Sequence, residues 1–264
     1  MKKILFLTTA FALSTPAISD YKIFLNQKLD IPEPVVDDSC PSDPSPEISS
    51  LNPVLWYSST NVNETNGQIA QLNPIGNTNI AAISTSGRET SLEEDAYNNC
   101  PAIVTDGDNM TANYNLGNEV TYVFVGRSSN VGYFSPFSTY TNDTNGGLFI
   151  RSNNSFVGAN GRPSGNDYYN IDANGIDTGK PIVGVAIAND NYIQAFMNGT
   201  WSTKLNTGSF YRDATPIVYV MGDLIQGRNL VSHGKAYELI MFNRALTVSE
   251  VGIVYQTLKE KYNL

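Results

Sequence analysis

Charge is scarce in this chain. Only 16% of its 264 residues are Asp, Glu, Lys or Arg, where roughly a quarter is usual for a soluble domain. The surface must therefore be built largely from Asn, Ser, Thr, Gly and Tyr. Cations are scarcer still, 16 Lys and Arg against 25 Asp and Glu, for a formal net charge of −9. No basic stripe is present to follow a nucleic-acid backbone, which removes that class of partner. Histidine occurs once, at His233, so serine chemistry has a single candidate base, and no Gly-x-Ser-x-Gly elbow surrounds any serine. Phosphate loops and dinucleotide fingerprints are missing. A retaining glycanase needs two carboxylates about 5 Å apart, which a Glu-x-Asp-x-x-Glu strand can supply, and no such string occurs. These absences point to a chain without catalytic apparatus, and with no cofactor expected beyond a metal ion.

Long apolar runs are missing outside the first residues. Lys2 and Lys3 precede the apolar stretch from Ile4 to Leu13, Ser14-Thr15-Pro16 breaks it, and Ala17-Ile18-Ser19 places small residues at the −3 and −1 positions of a cleavage site. The expectation is a signal peptide over 1–19, because so short a run does not comfortably span a bilayer of ~30 Å. No membrane span is expected in the mature chain, and a secreted, cell-surface or periplasmic location follows.

Cysteine is nearly absent too. Cys40 and Cys100 in an exported chain predict a disulfide that staples the N-terminal segment to the domain, two free thiols being the alternative. Two cysteines and one histidine are too few for a metal site of that ligand type.

What the chain does contain is organised in two parts. Residues 20–52 are rich in Pro, Ser, Asp and Glu, with Ile31-Pro32-Glu33-Pro34 and Pro41, Pro44 and Pro46. Spaced prolines deny helix and ladder donors alike, which predicts an extended linker or strap. Tyr21 to Leu25 within it reads as an edge strand or a docking peptide. From 53 to 264 the pattern becomes short apolar runs parted by Asn, Gly and Asp. Val120–Val125, dense in β-branched and aromatic residues, reads as a strand buried on both faces. Gly147–Ile150, Ile182–Ala188, Tyr192–Met197, Ile217–Met221 and Ala236–Phe242 are further strands. Asn198-Gly199 predicts a type I′ hairpin turn into Trp201. Short strands, regular turns and little helix predict an all-β fold, a sandwich or a barrel. One helix is expected, at the C-terminus. Thr247 and Glu250 form a capping box, and Val251, Val254, Tyr255, Leu258 and Tyr262 fall on one face.

The order of three segments carries a family likeness. Thr105-Asp106-Gly107-Asp108-Asn109 precedes the Val120 strand, Met197-Asn198-Gly199 turns a hairpin, and Glu238-Leu239-Ile240-Met241-Phe242-Asn243-Arg244-Ala245-Leu246-Thr247-Val248-Ser249-Glu250 closes the chain. From about Leu51 onward the chain resembles the laminin G-like and pentraxin-like branch of the concanavalin A-like lectin/glucanase superfamily. Its pattern is F-D-G-x-D-D, V-N-G and E-x-x-x-Y-N-R-A-L-S-x-x-E, from which Thr105, Met197 and Phe242 depart. The resemblance implies a jelly-roll sandwich of two antiparallel sheets with a C-terminal helix. It implies little about activity, since this architecture hosts lectins, adhesion modules, glycanases and virion parts.

Candidate chemistry is sparse. Asp106, Asp108 and Asn109 offer oxygen ligands of the kind calcium takes, with Asp190 and Asp223 as further donors, although the same string is ordinary turn chemistry. Trp201, Tyr168, Tyr169 and Tyr133 are aromatics able to stack on a pyranose, and each can equally serve packing. Glu93-Glu94-Asp95 reads as a solvated loop, Glu238 as a structural carboxylate within its strand, and His233 as a loop residue. The first expectation is a non-catalytic recognition module binding glycan or a surface protein. A structural subunit of an appendage, matrix or virion, self-assembling through the N-terminal segment, is the second. An unrecognised glycan-cleaving enzyme is the third.

Overall fold

A computed structural model describes residues 40–41, 44–84, 90–107, 110–129, 134–139, 147–152, 156–162, 169–174, 179–206, 217–222 and 233–264. The chain divides into two units, Met1–Asp37 and Asp38–Leu264, and every described residue belongs to the second.

In chain order the elements are α1 (Pro46–Ser49), β1 (Leu55–Ser58), β2 (Val62–Thr65), β3 (Gln68–Leu72), β4 (Ala82–Ser84), β5 (Ser91–Tyr97), β6 (Cys100–Asp106), β7 (Met110–Asn113), β8 (Val120–Ser128) and β9 (Phe134–Ser138). They continue with β10 (Gly147–Ser152), β11 (Phe156–Arg162), β12 (Tyr169–Asn174), β13 (Ile182–Ala188), β14 (Tyr192–Met197), β15 (Thr200–Trp201), β16 (Leu205–Asn206), β17 (Ile217–Val220), β18 (His233–Phe242) and α2 (Val248–Tyr262). One sheet runs β15-β14-β13-β8-β18-β6-β5, with β1 also on β18 and β16 on β14. The other runs β12-β11-β10-β9-β17-β7-β4-β3-β2. Strand pairs are antiparallel throughout the described residues. The fold is a two-sheet β-sandwich with a C-terminal helix, as the sequence and its resemblance imply.

Side-chain alternation produces two apolar layers. On β8, Val120, Tyr122 and Phe124 point into the space between the sheets. Val123 and Val125 point outward, beneath α2. That explains why this strand reads as apolar on both faces. β13 divides in the same way, with Ala186 and Ala188 inside and Val183, Val185 and Ile187 outside. Core aromatics cross the strands at glycines. A methyl group on Gly184 would collide with the Phe124 ring, and one on Gly234 with the Phe134 ring.

The turns follow their residues. Asn198 and Gly199 have φ of 44° and 95° between the paired Met197 and Thr200, the two positive values a type I′ turn requires. Asn98 and Asn99, at φ 48° and 56°, join β5 to β6 in the same way. Thr247 caps α2 with both capping-box bonds present, and Val251, Val254, Leu258 and Tyr262 are buried against the sheet. Tyr255 is half-buried, its ring edge-on to Phe196 at 5.2 Å.

The disulfide joins Cys40 to Cys100 at the start of β6. One expectation about the strap is corrected here. Pro46 starts a short helix instead of preventing one, because the first helical position has no use for an N–H and favours the proline φ. Ile48 is buried beneath that turn, in the outer layer that α2 also covers. Among the described residues, no helix is long and apolar enough to cross a membrane.

Candidate functional site

On the outer face of the first sheet, α2 covers only part of the strands. Its last residues are held by the β5–β6 turn. Asn98 Nδ2 donates to the Tyr262 carbonyl at 2.8 Å, and the Tyr97 hydroxyl donates to the Asn263 carbonyl at 3.4 Å. Beyond that clamp the described residues of β5, β6, β18 and β8 line a groove of about 670 Å³ on the outer face.

Register decides what lines the groove. Directly opposed residues on antiparallel neighbours share a face. One row pairs Asp106 of β6 with His233 of β18. The next runs Val104, Lys235 and Arg127 across β6, β18 and β8. His233 Nδ1 lies 2.5 Å from Asp106 Oδ1, and Lys235 Nζ donates to Glu93 Oε1 at 2.5 Å. Arg127 Nη1 donates to the Lys180 carbonyl at 3.4 Å on the opposite side. Tyr97 forms one wall, its ring edge-on to Tyr237 at 6.4 Å. Burial, reinforced by Glu93 and Tyr97, pushes the Tyr237 phenol up to about 12 against the opposing charge of Arg127. It therefore stays a neutral phenol at physiological pH.

Two loop assignments are corrected. His233 opens β18 and stands in the ladder. Its short apolar-poor stretch reads as loop because the partner that holds it, Asp106, is distant in sequence. Glu93, Glu94 and Asp95 lie in β5. They are exposed, and Asp95 takes φ 50° where the β5–β6 register shifts, which lets consecutive acids all face water.

Of the expected aromatic and calcium residues, Asp106 lines this groove. Trp201 is half-buried, its ring edge-on to Phe196 at 5.0 Å, on the far side of the sheet from β6. Tyr169 begins β12 of the other sheet, and β12 packs over β14 and β15, the strands that carry Trp201's hairpin. Tyr168, Tyr133, Asp108, Asn109 and Asp223 lie outside the described residues. Asp190 is exposed in the β13–β14 turn. Asp106 sits at the groove rim and bonds His233. Among the described residues no three His, Cys, Asp or Glu side chains converge to hold a metal.

Glu238 is placed away from the groove chemistry, fully buried under α2. Trp56 Nε1 donates to its Oε1 at 2.6 Å, while Lys261 Nζ and the Tyr262 hydroxyl donate to Oε2 at 2.8 and 2.9 Å. Sequence reasoning missed Tyr97, Arg127, Lys235 and Tyr237. Lys235 and Tyr237 alternate with His233 and could have signalled a longer strand, but Arg127 and Tyr97 join them only through long-range register.

No family model matches the chain, and no curated protein does. Solved structures do match. The botulinum neurotoxin serotype D binding domain is 12% identical at a TM-score of 0.55, over 78% of this chain and 52% of that one. A structure describing type C neurotoxin entry as dependent on two ganglioside molecules gives 10%, 0.56, 80% and 53%. The neurotoxin DC binding domain in complex with SialylT gives 10%, 0.54, 78% and 51%. This chain spans about half the length of the structures it matches. At these identities the likeness is one of fold, a β-sandwich shared with receptor-binding domains.

Proposed function

We propose that this chain is a non-catalytic recognition module that binds carbohydrate in the groove on the outer face of β5, β6, β18 and β8. The observation that carries the proposal is the groove itself: an aromatic wall at Tyr97 beside a floor of hydrogen-bonding side chains from Asp106, His233, Lys235 and Arg127. A pyranose has an apolar face and a rim of hydroxyls, and such a mixed surface complements both. The fold shared with ganglioside- and SialylT-binding neurotoxin domains supports a recognition role. We place the module in the laminin G-like branch, on the Glu238–Glu250 segment, and outside the cytosol, where a disulfide persists.

The test is a glycan-array screen of the protein, repeated with chelator. Binding is expected to be lost in Tyr97→Ala and kept in Trp201→Ala. Loss in Trp201→Ala alone would move the site to the β14–β15 edge, and a blank array from folded protein would remove the proposal. Chelator-sensitive binding would bring calcium, held by Asp106 with Asp108 and Asn109, into the site.

A further inference from the structure

Asparagine followed by glycine recurs in this chain, and the fold treats two of those dipeptides in opposite ways. Asn66-Gly67 turns the chain between the paired Thr65 and Gln68, and Asn198-Gly199 between Met197 and Thr200. Both turns have two positive φ values, 55° and 77° in the first and 44° and 95° in the second, as type I′ geometry requires. The difference lies in the asparagine side chain. Asn198 is tied to β13: its Oδ1 accepts the Val183 N–H at 2.8 Å, and its own N–H donates to the Val183 carbonyl at 3.1 Å. Val183 is fully buried. Asn66 is exposed and its side chain bonds no described residue. A methyl group on Gly67 would meet nothing within 4 Å.

That contrast decides a reaction. An asparagine side chain can turn back on the main chain so that the next amide nitrogen, having lost its proton to solvent base, attacks Cγ. The new N–Cγ bond closes a five-membered succinimide. The Cγ–Nδ2 bond breaks, and its electron pair leaves with the nitrogen, which takes a proton from water to depart as ammonia. Water then adds to either ring carbonyl and opens the ring to aspartate or isoaspartate. No other co-reactant is needed. A following glycine is the most permissive neighbour, having no Cβ to block the approach. At Asn198 the same motion pulls Oδ1 away from a buried N–H, and leaving such a donor unsatisfied slows ring closure by about tenfold or more. At Asn66 no bond is given up.

We infer that Asn66-Gly67 is a site of spontaneous covalent modification on the folded protein, converted through a succinimide to aspartate and isoaspartate while Asn198 keeps its amide. The fold tolerates the change. β2 is an edge strand, paired only with β3 among the described residues. Away from the turn the hairpin is held by Asn73, whose Nδ2 donates to Asn63 Oδ1 at 3.0 Å and whose N–H donates to the Asn61 carbonyl at 3.0 Å. The Ile69 N–H also donates to the Thr90 carbonyl at 2.7 Å. Aspartate at this position adds a carboxylate near Glu64 to a chain already at −9. Isoaspartate adds a methylene to the main chain, which lengthens the two-residue connection and ends its type I′ geometry. The exposed tip of this hairpin therefore changes charge and shape as the protein ages.

The test is a time course of the full chain in mildly alkaline buffer, folded and in guanidinium chloride, with peptide mapping by mass spectrometry. The map reads each Asn-Gly dipeptide separately. In the folded protein position 66 is expected to lose its amide at least about tenfold faster than position 198, with aspartate and isoaspartate peptides both appearing. In guanidinium chloride the two rates should draw together, because the Val183 bond is gone. Asn66→Gln should abolish the conversion, since its longer side chain closes a six-membered ring far more slowly, while the rate at Asn198 stays the same. Equal rates at the two positions in the folded protein overturn the inference. So does an amide at 66 that survives in the folded protein while the unfolded chain loses it. A mass gain on that peptide that persists in Asn66→Gln also overturns it, since Asn61, Asn63 or Asn73 would then be the source.

Discussion

An ionised carboxylate taken out of water costs several kcal/mol unless close partners replace its hydration. Glu238 is fully buried, and Trp56, Lys261 and Tyr262 each donate to it. Trp56 comes from β1 and the other two from α2, so one carboxylate ties three elements together. Its conservative loss is therefore instructive. Lys261→Met leaves the carboxylate buried with its ammonium gone, and should lower stability by about 3–5 kcal/mol, read as a drop in the urea midpoint at unchanged slope. Replacing both partners, Glu238→Leu with Lys261→Met, should cost much less than the sum of the two single changes. Additive losses would show that the residues act independently. The sequence exposes Glu238 as a lone carboxylate on a strand, which argues for structure. It cannot expose the partners, because Trp56 lies 182 residues away.

Within α2 the stabilising features are local, and here sequence and structure agree closely. Thr247 and Glu250 exchange both capping-box bonds, and Thr247→Ala should cost about 1 kcal/mol in a denaturant titration. Arg244 adds a bidentate pair to Glu250, at 2.9 and 2.8 Å, and also donates to the Leu51 carbonyl at 3.3 Å. The Arg244 guanidinium, with help from the Thr247 amide and hydroxyl, holds the Glu250 carboxyl at about 2, below its ordinary 4.5. A carboxyl depressed in the folded state binds its proton more readily when unfolded. The contribution is thus complete above about 4.5 and is lost as pH falls towards 2. Glu250→Gln should lower stability at neutral pH and flatten the decline between those two values, followed by the urea midpoint across the acid range. An unchanged acid slope would mean that other carboxyls govern it. Capping, turn and stripe signals lie within a few residues of each other and can be read directly, as Asn198-Gly199 and the Val251–Tyr262 stripe show. The groove is assembled from β5, β6, β8 and β18, and no local pattern specifies that Arg127 faces Lys235 or that His233 faces Asp106.

At the scale of the whole molecule, the sandwich follows from alternation, since inward and outward residues along β8 and β13 supply both apolar layers. The layer beneath α2 also takes in the described residues before β1, through Ile48 and through the Cys40–Cys100 disulfide. The cystine closes a loop with a sequence separation of 60. Constraining a loop of that length in the unfolded chain contributes about 4 kcal/mol on the chain-entropy account. Most of the closed loop is β1 to β5, whose strands pair across both sheets, so the native arrangement gains few contacts from the cystine itself. Its effect should therefore fall on stability and leave the architecture intact. Cys40→Ala with Cys100→Ala is expected to lower the unfolding free energy by about 4 kcal/mol while the far-ultraviolet circular dichroism keeps its β character. The packing of Ile48 and the Arg244 bond to Leu51 remain available without the disulfide. A loss below about 1 kcal/mol would show that those contacts, and the structure they leave in the unfolded chain, already restrain the segment. Loss of the β spectrum itself would instead make the cystine a requirement for closing the two sheets.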